Sequence, residues 1–521
     1  MKPVVLVILD GWGVVPEYKG NAIANAAKPN FDFIEKNFPF ALLQASGIPV
    51  GLPWGEPGNS EVGHAALGTG QIRHQALTRI TLAIQNGSFF KNPVLKMAAD
   101  KAKENNSAWH LVGLLGSGSV HSYIDHLYAL LEMAKNENVK EIWLHLFTDG
   151  RDSPPKEAAT AIENLESRLK WLGAGKIASV IGRLYAMDRD LNWDRTEKTY
   201  RLLTEGLGEK TADFTAAIKK QYAGGVTDEF IEPMALAGKE IESAGTIKDG
   251  DAVIFFNFRE DSARQLARAF AQPDFNNFPV KKFKNLFIAT LTQYEKKLAA
   301  EAVFKPNTIN NFLSRMISER GLKQFKIAET EKYAHATYFF NGGWEESLPG
   351  ETRKLVHSAP QVRFNESPAM KAPEITSELC LAIAGGEYDF LLANFANADM
   401  MGHSGDYEAA VKAVQVLDES VGKIMKAVLA VGGTLIITSD HGNADEMINR
   451  FSGEIFTEHS SNPVPCYLIM NSLKKPRETK YNELKIQGIL QDVAATVLDL
   501  LGISPPGDMD GQSLLPMLYK Q

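Results

Sequence analysis

Short aliphatic or β-branched runs recur along the chain, each closed by a Gly/Asp-rich turn and followed by a longer stretch with helical spacing of its apolar positions. Strands buried on both faces read as continuous apolar runs, so this alternation predicts a parallel sheet covered by helices. Strands are expected at 4–9, 109–114, 141–147, 176–181, 252–256, 286–291, 390–395 and 434–438, and the predicted fold class is α/β. Polar residues cluster just beyond these runs. Asp10 follows the first, His121 lies past the Gly-rich turn after the second, and Asp149-Gly150-Arg151-Asp152 follows the third. Arg183 follows the fourth, Arg259 the fifth, Asp399 the seventh and Asp440-His441 the eighth. Ligands of open α/β sheets bind outside the carboxyl ends of the strands, which is where this pattern places the chemistry.

At 521 residues, 44% hydrophobic and 23% charged, the chain has the composition of a globular protein. At roughly 100 to 200 residues per domain it holds two to four folding units. A net charge of −8 provides no global basic field, which argues against a nucleic-acid partner. Two cysteines, Cys380 and Cys466, are too few for a disulfide scaffold or a thiolate zinc site and fit a reducing compartment, so the cytoplasm is expected. The apolar run at 4–9 is cut by Asp10 before it could serve as a signal-peptide core, and no stretch approaches the roughly 18 apolar residues of a membrane span. Residues 68–70 and 305–307 are turn-rich places where the chain could cross between units.

Two groups of polar residues carry the chemistry. The first is Asp10, Asp399, His403, Asp440, His441 and His459. Asp399 and His403 could share one helical turn or face each other across a tight loop. Singly, Asp440 reads as a helix cap, His441 as a packed histidine and Asp399 as a turn residue. Their joint placement at strand ends points instead to divalent metal, and six imidazole and carboxylate ligands exceed the needs of one four-coordinate ion. Two metals, Mn²⁺ or Zn²⁺ in type, are the economical reading. The segment Gly55 to His64 adds a hydroxyl, Ser60, at the start of a predicted helix over 61–67. By itself Ser60 reads as an N-cap. Beside metal ions it is a competent nucleophile towards phosphorus.

The second group is basic: His121, Arg151, Arg183, Arg189 and Arg259, with Asp152 beside Arg151. Single arginines usually sit in surface ion pairs. Four at strand ends in one block of sequence imply a small dianionic or trianionic ligand gripped by planar guanidinium forks. His121 and Asp152 could move protons to and from a substrate hydroxyl.

These residues lie in stretches that resemble the cofactor-independent (2,3-bisphosphoglycerate-independent) phosphoglycerate mutases of the alkaline phosphatase superfamily. The matching segments are LDGWG at 9–13, GNSEVGHAALGTG at 58–70, VHSYIDH at 120–126, TDGRDSPP at 148–155 and GRLYAMDRD at 182–190. They continue with FFNFRED at 255–261, ETEKYAHATYFFNGG at 329–343, ADMMGHSGD at 398–406, SDHGNADEM at 439–447 and EHSSNPVP at 458–465. The resemblance implies a metal-binding phosphatase-like domain, 1–75 with 309–521, split by an inserted transferase domain, 76–308, with hinges near 74–77 and 305–309 that close over substrate. It implies one metal on Asp399, His403 and His459 and another on Asp10, Ser60, Asp440 and His441, with Mn²⁺ the expected ion. Lys332 would neutralise the travelling phosphoryl group, and His121, Arg151, Asp152, Arg183, Arg189 and Arg259 would bind phosphoglycerate. The implied reaction interconverts 3- and 2-phosphoglycerate through phosphoserine at Ser60, with no bisphosphoglycerate, no membrane and no second copy of the chain required.

The chain departs from this pattern at Ser262, where the family usually carries a second phosphate-gripping arginine; Arg264 is the nearest cation in sequence. The competing readings are a metal-dependent phosphomonoesterase or another phosphomutase of the superfamily, and a metal-binding sensor without turnover. Intact Ser60 and Lys332 argue against a sensor. A dinucleotide-binding protein is disfavoured because the glycine-rich segment 113–118 lacks the ordered GxGxxG fingerprint.

Overall fold

The structure, a computed structural model, describes residues 2–237, 244–306, 309–358, 364–450, 452–477 and 485–521. The chain divides into two compact units, Met1–Gln75 with Thr308–Gln521, and Ala76–Asn307. Of the expected second crossing, residues 307 and 308 lie outside the described residues. The turn at 68–70 is not a crossing: Thr69 ends a helix, Ser60–Thr69, and Gly70 caps it in a left-handed conformation at φ 64°.

The first unit is built on β1 (Val4–Leu9), β2 (Phe40–Gln44), β11 (Gln324–Glu329), β12 (Glu351–Val356), β13 (Phe390–Phe395), β14 (Thr434–Thr438), β15 (Val464–Ile469) and β16 (Ile486–Ile489). They form one sheet in the order β12-β11-β13-β1-β14-β15-β2-β16. The five strands from β12 to β14 are parallel, while β15 runs antiparallel to both of its neighbours. All of β1 is buried. Its alternate residues serve two cores, Val5, Val7 and Leu9 on one face and Val4, Leu6 and Ile8 on the other. The first face is covered by helix Tyr407–Ala430, whose Val414, Leu417, Val421, Ile424 and Val428 recur at helical spacing. Asp406 starts that helix, accepting a hydrogen bond from Ala409 N at 3.0 Å. The second face packs against Ala66 and Leu67 of helix Ser60–Thr69 and against Val493, Ala494 and Val497 of helix Asp492–Leu500.

The second unit repeats the principle with β3 (Ala108–Leu115), β4 (Glu141–Thr148), β5 (Lys176–Gly182), β6 (Glu209–Thr211), β7 (Met234–Leu236), β8 (Ala252–Phe255), β9 (Phe287–Thr292) and β10 (Glu301–Phe304). Their order is β10-β9-β8-β3-β4-β5-β7-β6, parallel except between β5 and β7. Central β3 is buried throughout, with Trp109, Leu111 and Leu115 facing one core and Val112 and Leu114 the other. The eight strands read from the sequence are all present, with ends shifted by at most one residue.

Candidate active site

Four adjacent parallel strands of the first unit, β11, β13, β1 and β14, deliver their carboxyl ends to one place. Ile8 pairs with Thr438, so Asp10 and Asp440, two residues further on, leave the sheet side by side. Asp399 and His403 lie one turn apart on helix Asn397–Ser404 after β13, which selects the helical alternative for that pair. Lys332 lies on the short helix Thr330–Ala334 after β11. Gly11, at φ 77°, permits the bend after Asp10; a Cβ there would lie 2.7 Å from the Asp399 Cα.

Ser60 enters on its own helix. The cap is Asn59, whose side chain accepts from Val62 N at 2.9 Å, so Ser60 is the first helical residue and its hydroxyl is not spent on capping. Gly63 lets this helix approach the end of β14, since a Cβ at that position would stand 2.6 Å from the Asp440 carbonyl oxygen. The Ser60 hydroxyl donates to Asp10 Oδ1 at 3.3 Å, lies 2.9 Å from His441 Nε2, and accepts from Lys332 Nζ at 2.7 Å. Lys332 Nζ also donates to Asp10 Oδ1 at 2.6 Å and to Asp399 Oδ2 at 2.7 Å. On the other side of Asp399, Oδ1 lies 3.3 Å from both His403 Nε2 and His459 Nε2 and accepts from Asn443 Nδ2 at 2.9 Å. The structure thus brings together every sequence-predicted metal residue, with Ser60 and Lys332 among them.

Asp10, Asp440 and His441 are fully buried and Asp399 nearly so. Burial, followed by repulsion from Asp440, pushes the Asp10 carboxyl above its ordinary value despite Lys332. Burial also opposes ionisation of Asp399, but Lys332 and the hydrogen bond from His459 overcome it and hold that carboxyl well down. Burial would neutralise Lys332; Asp10 and Asp399 reverse this and keep it charged. Three carboxylates therefore share one lysine. Among the described residues, Asp440 Oδ2 has only the imidazole edges of His64, at 3.1 Å, and His441, at 3.4 Å, beside it and accepts no well-aligned hydrogen bond. An excess of buried anionic oxygen interleaved with imidazole nitrogen is a donor set that fits divalent cations. Asp399, His403 and His459 form one such group, Asp10, Asp399 and His441 a second, and Asp10, His64 and Asp440 a third.

The second unit gathers the basic residues at the carboxyl ends of β3, β4, β5 and β8. His121, Arg151, Asp152, Arg183, Arg189 and Arg259 line a single cavity of about 290 Å³, together with Arg195 and Ser262. Arg183, the first residue of helix Arg183–Ala186, is buried and donates to Asp149 and, at 2.6 Å, to Asp152 Oδ2. Arg189 and Arg259 converge on Asp261 Oδ2, at 3.2 and 2.9 Å. Arg151 pairs with Glu229. Burial, then the nearby Arg183 charge, pulls His121 below its ordinary value. Its Nε2 stands 3.7 Å from Asp152 Oδ2. Arg264 is not part of the cavity lining; it lies 3.6 Å from Glu260.

Reasoning from sequence assigned no role to His64, Asn394, Asp149, Asp261 or Arg195. Two carried a usable signal: His64 follows Ser60 by four residues, the spacing that puts two side chains on one helix face, and Asp149 lies just beyond the strand expected at 141–147.

A buried hydroxyl, lysine and carboxylate–imidazole set at the carboxyl edge of one sheet, with an arginine-lined cavity in an inserted unit, defines a phosphoryl-transfer enzyme. Residues 80–296 match the family described as BPG-independent PGAM N-terminus, and residues 292–471 match type I phosphodiesterase / nucleotide pyrophosphatase. The chain is 45% identical to the 2,3-bisphosphoglycerate-independent phosphoglycerate mutase of Chloroflexus aurantiacus, covering 99% of this chain and 98% of that one. It is 46% identical to mutase 1 of Methanosarcina barkeri, again over 99% and 98% of the two chains. Among solved structures it resembles phosphoglycerate mutase from Leishmania mexicana, determined at low cobalt concentration, with 32% identity and a TM-score of 0.53 over 98% of this chain and 97% of that one. The chain belongs to the 2,3-bisphosphoglycerate-independent phosphoglycerate mutase family. Its activity is the interconversion of 3- and 2-phosphoglycerate, an isomerisation. No helix among the described residues is long and apolar enough to cross a membrane.

Proposed function

We propose that Ser60 is the nucleophile of this mutase and that the phosphoryl group resides on it between the two halves of the reaction. The observation that carries this reading is the Ser60 hydroxyl itself, which donates to Asp10 and accepts from a charged lysine, Lys332. In the first half, Ser60 Oγ attacks phosphorus of 3-phosphoglycerate as its proton leaves along the hydrogen bond to Asp10. The phosphorus–oxygen bond to C3 breaks, and the glycerate oxygen takes up the proton that the Asp152–His121 pair carries when substrate binds. In the second half, the C2 hydroxyl gives its proton back to that pair and attacks the phosphoserine; the phosphorus–Oγ bond breaks, Asp10 returns its proton to Ser60, and 2-phosphoglycerate is released. Lys332 balances charge on the phosphoryl oxygens in both directions. Arg151, Arg183, Arg189 and Arg259 hold the carboxylate and phosphate of the substrate.

Two divalent cations, Mn²⁺ by our assignment, held by Asp399, His403 and His459 and by Asp10, Ser60, Asp440 and His441, supply the positive charge that makes the serine hydroxyl acidic and offsets the phosphoryl charge. The inserted transferase role of residues 76–308 and the phosphatase-like role of 1–75 with 309–521 follow from this division of labour. Hydrolysis of the phosphoserine would turn the mutase into a phosphatase, so water has to be excluded while glycerate turns. We assign the enzyme to the cytoplasm as a single chain, in keeping with its unpaired cysteines Cys380 and Cys466. Phosphorus NMR of 3-phosphoglycerate with the Mn²⁺-loaded protein and no bisphosphoglycerate tests the reading. Growth of the 2-phosphoglycerate resonance without inorganic phosphate is expected. Accumulation of inorganic phosphate and glycerate would favour the phosphomonoesterase.

A further inference from the structure

Helix Ser60–Thr69 presents a second polar side chain one turn beyond Ser60. His64 is fully buried, and both of its ring nitrogens are engaged. Nδ1 lies 2.9 Å from the Ser60 main-chain oxygen and 3.1 Å from Asp440 Oδ2, both of them acceptors. Nε2 lies 2.8 Å from Asn394 Nδ2, an amide that also donates to Asp10 Oδ2 at 2.9 Å. These partners assign the imidazole proton to Nδ1 and the lone pair to Nε2. The reverse orientation of the Asn394 amide would set its oxygen against the Asp10 carboxylate, so Asp10 fixes the amide and the amide fixes the ring.

A buried imidazole needs partners on both nitrogens whatever its role; what is particular to His64 is where its partners lie. Hydrogen bonds run from the Ser60 main-chain oxygen through His64 and Asn394 to Asp10, joining the turn that carries Ser60 to the ends of β13 and β1, and Nδ1 stands 3.1 Å from Asp440 at the end of β14. We propose that His64 is a positioning residue for phosphoryl transfer: chiefly through Nδ1 it fixes the Ser60 turn beside Asp440, and to a lesser degree it steadies Asn394, which keeps its own bond to Asp10. The inference rests on the reading of Ser60 as nucleophile. His64 touches no reacting atom, and it acts by keeping two buried carboxylates aimed while like charges surround them.

Asparagine places an amide nitrogen where Nδ1 stands, and glutamine places its amide where Nε2 stands, so the two substitutions separate the two contacts. His64→Ala is expected to lower kcat by about 10- to 100-fold, with KM for 3-phosphoglycerate within about threefold of wild type. His64→Asn restores most of the loss and His64→Gln does not. Mn²⁺ affinity, read by electron paramagnetic resonance on the purified protein, should follow the same order. If His64→Ala does not fold, the contrast between Asn and Gln decides. Equal behaviour of those two variants, whether both are normal, both inactive or both unfolded by circular dichroism, overturns the proposal and leaves His64 a core residue. Ser60→Ala is measured alongside. Turnover by Ser60→Ala would defeat the underlying reading, whereas an inactive Ser60→Ala with a fully active His64→Ala defeats only this inference.

Discussion

In the first unit Asp10, Asp399 and Asp440 are at most 2% exposed, and the first two are ion-paired with Lys332. In the second, the side chains of Arg151, Arg189 and Arg259 are 56%, 54% and 46% exposed; Arg151 has Glu229 within reach, and Arg189 and Arg259 share Asp261. Both clusters sit at the carboxyl edge of a parallel sheet, yet they treat charge differently. Buried charges interact strongly and cannot be rescreened by water, so their geometry must be built in before the reaction begins. Half-exposed arginines exchange one anion for another at little cost, and Asp261, shared by Arg189 and Arg259, is the kind of partner that a substrate phosphate or carboxylate can replace. The first arrangement suits bond making and breaking; the second suits capture. Substitutions in the first cluster should therefore act on kcat and those in the second on KM.

The largest expected effect is that of Ser60→Ala. Removing the nucleophile while leaving Asn59 to cap the helix should reduce mutase turnover by roughly 10⁴-fold or more, with an unchanged circular dichroism spectrum. Turnover within tenfold of wild type, followed by phosphorus NMR, would end the assignment of chemistry to the buried cluster. Next comes removal of metal. Exhaustive chelation should abolish turnover, and Mn²⁺ should restore it, because the carboxylates of Asp10, Asp399 and Asp440 otherwise have too little positive charge to hold a phosphoryl group among them. Full activity in rigorously metal-free protein would contradict this.

Much of both clusters was legible because parallel sheets put chemistry at strand ends and leave their interior strands as unbroken apolar runs. Several of the strands that escaped notice break that rule. β11 carries Lys326 and Glu329 in its buried interior. Lys326 is tolerated there because Glu351 of β12 lies 2.9 Å from its Nζ, while burial draws the lysine down to about 8. No local pattern foretells a pair whose members come from different strands. β15 contains Pro465, which normally argues against a strand inside a sheet, and β6 and β7 have three residues each. Most of the site was legible where a residue followed a strand, Asp149 excepted. Supporting contacts such as Asn394 to His64, 330 positions apart, arise only on folding. Ser60 illustrates the limit: sequence suggested a cap or a nucleophile, and the neighbouring Asn59 decides the first question by taking the cap.

A smaller effect is expected in the cationic cluster. Arg259→Ala should raise KM for 3-phosphoglycerate about 10- to 100-fold, the worth of a charge-assisted hydrogen bond of roughly 1.5 to 3 kcal/mol, with kcat within about threefold. A comparable fall in kcat with unchanged KM would blur the division between capture and chemistry.

The smallest effect concerns Ser262, the position at which the resemblance leads one to expect an arginine. Arg264 cannot supply the absent charge to the cavity, because it lies outside the lining beside Glu260. Arg195 does line the cavity. Its Nη1 rests 3.1 Å from Asp188 Oδ2, a carboxylate already held by the main-chain nitrogens of Asp190 and Asn192 and by the side chains of Asn192 and Gln265. Asp188 can therefore release Arg195 to a ligand without being left unpaired. Ser262 is buried and its hydroxyl lies 3.3 Å from Asp261 Oδ1, so an arginine in its place would crowd the site and draw on the carboxylate that already serves Arg189 and Arg259. Ser262→Arg should accordingly shift KM by less than about threefold, Arg264→Ala should leave it unchanged, and Arg195→Ala should raise it about tenfold. A tenfold fall in KM for Ser262→Arg would show that no group had replaced the missing charge, and an unchanged KM for Arg195→Ala would remove Arg195 from the capture cluster.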